Sequence, residues 1–103
     1  EEFEQARKEY YQVRDKYRKL ATVEDAVDHI DHVVQLIGID HVGIGTDFDG
    51  GGGIEGVMDV SQMKNITREL IRRGYSRSEI EKIWSGNIMR VLRENEKLAE
   101  QAL

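Results

Sequence analysis

The run His41-Val42-Gly43-Ile44-Gly45-Thr46-Asp47-Phe48-Asp49-Gly50, continued by Gly51, Gly52 and Gly53, decides how the rest of the chain is read. Val42 and Ile44 alternate with Gly43 and Gly45, a period-two pattern that predicts a short strand over about 41–46. Glycine within a strand marks close approach of a ligand or of another backbone. Asp47 is the first charge after the apolar run. An acid at the carboxyl end of a strand in an α/β fold sits where ligands bind. If the extended path continues, Asp49 points the same way as Asp47, because side chains repeat every second residue. The competing reading is a solvated turn, with Asp49-Gly50 as turn chemistry.

Working outward, the chain is helical on both sides of this strand. Phe3, Ala6, Tyr10, Val13, Tyr17 and Leu20 form one apolar stripe on a helix over residues 2–20. A coiled-coil partner helix is one reading of it. With fewer than three heptads present, packing against the protein's own surface is favoured. Thr22 and Asp25 resemble a capping box that opens a second helix. Its apolar face runs from Val23 through Ala26, Val27, Ile30, Val33 and Val34 to Ile37, and Gly38 supplies a left-handed stop. Beyond the glycines, Asp59 with Gln62 resembles another box, opening a helix through Arg73 whose core face is Val60, Met63, Ile66, Leu70 and Ile71. Ser76 with Glu79 is a full box for a short helix. Gly86 breaks that helix and Asn87 caps the last one.

Bulk properties narrow the function. The 103 residues carry a net charge of −5 with 34% charged residues, and the basic side chains are dispersed. Nucleic-acid binding would need them clustered. No apolar run approaches the roughly 20 residues that cross a bilayer. The absence of cysteine excludes disulfides and thiolate metal sites. His29 and His32 stand one helical turn apart and could share a metal, but the zincin pattern is absent, and capping or pairing with Asp25 or Asp28 is the simpler account. Arg68, Arg72, Arg73 and Arg90 read as solvated or surface-paired. The glycine loop lacks the ending of a P-loop, and its acids fall out of register with an EF-hand. A different calcium site, built from Asp47, Asp49, Glu55 and Asp59, stays open.

Three pieces together carry a family resemblance: Asp28-His29-Ile30-Asp31-His32; Gly38-Ile39-Asp40-His41 leading into the run quoted above; and Arg72-Arg73-Gly74-Tyr75-Ser76 with Gly86-Asn87-Ile88-Met89-Arg90-Val91-Leu92. Over about residues 22–93 the chain resembles the C-terminal part of the membrane (renal-type) dipeptidases, zinc peptidases of the amidohydrolase superfamily. The one small departure is Ser85 where the family often has glycine. The resemblance implies an α/β fold class, a C-terminal portion of a (β/α)8 TIM-like barrel. It implies hydrolysis of dipeptides through a metal-activated water, with Asp47 as proton shuttle and with Asp49 and Gly50 shaping the substrate-binding mouth. It implies two zinc ions whose ligands, a His-x-Asp pair, a bridging Glu and two later histidines, lie upstream, so metal ligands within this chain are none.

A full barrel of this class needs about 250 residues. A lone strand leaves both hydrogen-bonding edges open, at about 1–3 kcal/mol for each group buried without a partner. The chain by itself is therefore expected to be inactive, and to self-associate or pair with the missing barrel segments. The alternatives are a non-catalytic helical interaction module and a small acidic calcium-binding domain centred on Asp47 and Asp49. Location is left open, with a soluble, cytoplasmic protein the weak preference.

Overall fold

A computed structural model describes residues 1–102; the Tyr17 side chain and Leu103 lie outside the described residues. Five α-helices follow one another: α1 (Glu2–Tyr17), α2 (Val23–Ile37), α3 (Lys64–Arg72), α4 (Arg77–Glu81) and α5 (Asn87–Ala102). Short 3-10 turns at Ile39–His41, Phe48–Gly50 and Val60–Gln62 punctuate the long connection between α2 and α3.

Two helix starts follow the sequence closely. Thr22 Oγ1 accepts from the Asp25 N–H at 3.2 Å while Asp25 Oδ2 accepts from the Thr22 N–H at 2.9 Å. Ser76 and Glu79 form the same reciprocal pair at the head of α4, at 3.2 and 2.7 Å. Each box satisfies two N–H groups that the first helical turn leaves without partners.

Other expectations are corrected. α1 ends at Tyr17, and Phe3, Tyr10 and Val13 of its stripe are exposed rather than packed. Gly38 has φ +95° and ψ 167°, a positive-φ stop but not the left-handed helical one. Asp59 caps Ser61, but Gln62 Oε1 accepts from the Met58 N–H instead of returning to Asp59. That box is not closed, and the stretch divides into a 3-10 turn and α3. Gly86 does not break the chain. A π-helical turn at Lys82–Gly86 joins α4 to α5, and Asn87 is already helical at φ −68°, ψ −49°.

The predicted strand is the largest correction. Val42 is extended, at φ −122° and ψ 144°. Residues 42–47 form no ladder, and no strand is present among the described residues. The reason is the one the open edges supply: a strand is defined by its neighbours. The β-pairing present is two isolated bridges, Thr22 with Glu55 and Ile54 with Val57.

The core lies where α2, α3 and the α4–α5 junction meet the extended segment. Val27, Ile30, Val42, Val57, Ile66, Leu70 and Ile83 are buried, with Ile44, Phe48, Ile54, Met63, Tyr75, Ile80 and Trp84 packed around them. Trp84 Nε1 donates to Thr67 Oγ1 at 2.8 Å, tying the π turn to α3. Of the core face proposed for residues 60–73, Ile66 and Leu70 are buried while Val60 and Ile71 face solvent. The radius of gyration is 18.5 Å, against about 13 Å for a compact chain of this length. Leu36, Ile37, Ile88, Val91, Leu92 and Leu98 are also exposed. Much apolar helix surface is thus left uncovered.

Candidate functional site

The site begins at the end of the extended segment. Asp47 does not continue the extended path. It has φ +50° and ψ 36°, the one left-handed non-glycine residue among those described. Such a conformation is uncommon for a side-chain-bearing residue and concentrates at functional positions. The chain turns at once into Phe48–Gly50, so the period-two alternation expected to align Asp49 with Asp47 does not hold; both acids are exposed.

The glycines hold this turn in place. The Asp47 carbonyl accepts from the Gly50 N–H at 3.0 Å and from the Gly52 N–H at 2.7 Å. A β-carbon on Gly50 would run into the Asp47 carboxylate, and one on Gly52 would run into the Thr46 and Asp47 carbonyl oxygens. The bare Cα of Gly50 makes room for the Asp47 side chain.

A groove of about 350 Å³ opens beside the segment, between α2 and the loop. Ala26, Ile30 and Val33 line one wall, and Ile44, Phe48 and Ile54 the other. His29 also lines it. The groove is apolar, and the glycines at 43 and 45 leave the segment's own surface bare.

Behind the segment, Asn87 is buried at 5% exposure. Its Nδ2 donates to the carbonyls of Ile39 at 2.7 Å and Val42 at 2.9 Å. Its Oδ1 accepts from Arg90 Nη1 at 3.0 Å, while Arg90 Nη2 donates to the Asp40 carbonyl at 2.5 Å. The sequence reading assigned Asn87 to helix capping and Arg90 to solvent. Both instead gather three carbonyls at the entry to the Asp47 segment. No local signal marks this, since the partners lie more than 40 positions away.

A second polar cluster joins α2 to α3. Arg73 bonds Glu69 Oε1 at 2.8 Å, Asp28 Oδ1 at 2.7 Å and Asp31 Oδ2 at 2.6 Å, and donates to the Glu24 carbonyl at 3.0 Å. Tyr75 donates to Asp31 Oδ1 at 2.5 Å. Hydrogen bonds from Arg72 and then Arg73 hold the Glu69 carboxyl down at about 2. Burial alone would raise Asp31, but the bonds from Tyr75 and Arg73 outweigh it and hold it low. Burial, then the Asp31 bond, pushes the Tyr75 hydroxyl up to about 12. Arg73 is therefore a structural hub, not the surface cation read from sequence.

No group of three or more His, Cys, Asp or Glu side chains is placed to hold a metal ion among the described residues. The donor set among the described residues does not fit a zinc cage, and His29, His32 and His41 do not assemble one there. The calcium alternative meets the same obstacle, and Asp59 is engaged by Ser61 at 2.8 and 2.5 Å.

The described fold is thus helices packed around a segment that ends on a left-handed acid and a glycine collar. The chain superposes on the crystal structure of the probable dipeptidase PvdM from Pseudomonas aeruginosa with a TM-score of 0.74 at 47% identity, over 84% of this chain and 22% of that one. Residues 8–103 match the family described as membrane dipeptidase (peptidase family M19), and the chain belongs to that family. Dipeptidase tcpJ of Claviceps purpurea is 48% identical over 80 residues, covering 77% of this chain and 19% of the relative. Human dipeptidase 3 is 38% identical over 84 residues, covering 81% and 17%. The chain thus spans about a fifth of the length of the relatives it matches. No helix among the described residues is long and apolar enough to cross a membrane.

Proposed function

We propose that these residues form the C-terminal portion of a zinc-dependent dipeptidase, and that Asp47 is the carboxylate that carries the proton during peptide hydrolysis. Water adds to the scissile carbonyl carbon and gives up a proton. Asp47 takes that proton and returns it to the leaving amine nitrogen as the C–N bond breaks. A positioned carboxylate in this role contributes about 10²–10⁴-fold to the rate. The zinc ligands would lie in segments outside these residues, so the 103-residue chain alone does not turn over dipeptides.

The observation that carries the reading is the conformation of Asp47: left-handed, its carbonyl bound by two glycine N–H groups, its carboxylate seated over Gly50. Aspartate also takes this conformation in solvated turns, so the conformation supports the reading together with the family membership. The test splices these residues into dipeptidase tcpJ in place of its matching fifth. The expected result is dipeptide hydrolysis by the spliced enzyme, a loss of at least about 100-fold in kcat on Asp47→Asn, and no hydrolysis by the isolated chain with added zinc. An Asp47→Asn variant with undiminished kcat, or zinc-dependent turnover by the isolated chain, would refute it.

A further inference from the structure

We infer that Asn87 and Arg90 are positioning residues for the segment that carries Asp47, an inference that rests on the proposed role of that acid. The segment cannot hold its own course. Gly43 and Gly45 give it two soft joints, and no ladder constrains it among the described residues. Its far end is fixed by the Gly50 and Gly52 bonds to the Asp47 carbonyl. Its near end is held by the burial of Val42 and by side-chain bonds: Asn87 on the Ile39 and Val42 carbonyls, Arg90 on the Asp40 carbonyl. Lys82 adds an ion pair to the Asp40 carboxylate at 2.9 Å.

The helix geometry serves this contact. The π turn at Lys82–Gly86 inserts an extra residue per turn ahead of Asn87. One extra residue rotates the following helix face by about 100°. That rotation accompanies the inward placement of the Asn87 side chain, whose backbone is already helical and so is not an N-cap. Arg90, one turn on, braces the Asn87 oxygen and fixes which end of the amide donates. From Val42 to Asp47 the chain runs about 16 Å at strand rise. Loss of the near anchor is therefore read at the carboxylate as a swing of the segment, not as a lost contact.

Asn87→Asp keeps the side chain's size and replaces its donor by an acceptor facing two carbonyls. Arg90→Gln is the milder variant, because Arg90 is exposed. Two measurements are made on each. In the 103-residue chain, 15N relaxation is expected to show amide order parameters at Gly43–Asp47 falling from the rigid range near about 0.85 toward about 0.6, with Val27 and Leu70 unchanged. In the spliced dipeptidase, kcat is expected to fall about 10- to 100-fold for Asn87→Asp, as small misplacements of a reacting group do, with KM within about twofold. Arg90→Gln gives the same pattern at smaller size. Unchanged order parameters at 43–47, or a fall shared equally by Val27 and Leu70, would overturn the inference, as would kcat and KM changing together. An Asp47→Asn enzyme of full activity would remove the catalytic reading instead, and the relaxation data would still decide whether the segment is held by Asn87.

Discussion

Gly50→Ala and Gly52→Ala are chemically the same change two residues apart, yet the structure separates their consequences. At Gly50 the atoms nearest the new methyl are those of the Asp47 carboxylate, the movable end of a side chain. Turning that side chain about 30° off its rotamer costs about 0.5–1.5 kcal/mol. Alanine restricts the unfolded chain and returns about 0.4–1 kcal/mol where the backbone accepts it, as it does here, since Gly50 lies outside the positive-φ glycines. The net change in stability lies between about 0.5 kcal/mol stabilising and about 1.1 kcal/mol destabilising. At Gly52 the methyl meets the Thr46 and Asp47 carbonyl oxygens, which are backbone and cannot turn aside. The loop must shift and lose the 2.7 Å bond from the Gly52 N–H to the Asp47 carbonyl. Lost hydrogen bonding plus displacement amounts to about 2 kcal/mol. Urea unfolding of the 103-residue chain, followed by the fluorescence of its single tryptophan, Trp84, measures both. Activity should order them differently. In the spliced dipeptidase Gly50→Ala displaces the Asp47 carboxylate itself and should lower kcat about 100-fold while the fold persists. Gly50→Ala that keeps full kcat, or that destabilises the chain as much as Gly52→Ala, would refute the account of the collar.

The Arg73 cluster predicts an acid limb. Because the Glu69 and Asp31 carboxyls are held below their unfolded values, their contribution is present above about pH 4 and is lost as pH falls toward about 2, where Glu69 titrates. The urea midpoint should drop across that window and drop less in Glu69→Gln; a flat profile would refute it. Leu70, fully buried, and Val60, 78% exposed, were read as one core face. Leu70→Ala should cost about 2–5 kcal/mol and Val60→Ala no more than about 0.5 kcal/mol, and equal shifts in midpoint would contradict the packing described.

Features that a few neighbouring residues settle were readable in the sequence. Thr22 with Asp25 and Ser76 with Glu79 close their boxes within one turn, so their geometry depends on nothing distant. The apolar spacing of Val27 and Ile30 likewise fixes which face of α2 turns inward. The combination of motifs around residues 28–50 and 72–92 carried the family, which residues 8–103 match. What tertiary structure alone decided are features that need a partner far along the chain. Residues 42–46 have strand composition but no neighbour to pair with among the described residues, so they follow Val42's extended start without being a strand. Asp47 and Asp49 alternate on paper, but the Gly50 and Gly52 N–H groups hold the Asp47 carbonyl in a left-handed turn, which ends the alternation. Arg73 carries the same charge as Arg68, and only the approach of α2 to α3 adds two distant carboxylates, Asp28 and Asp31, to the Glu69 of its own helix. Asn87 sits where a cap would sit. The π turn before it aims its amide at carbonyls more than 40 residues back, a direction set by packing and not by the order of residues.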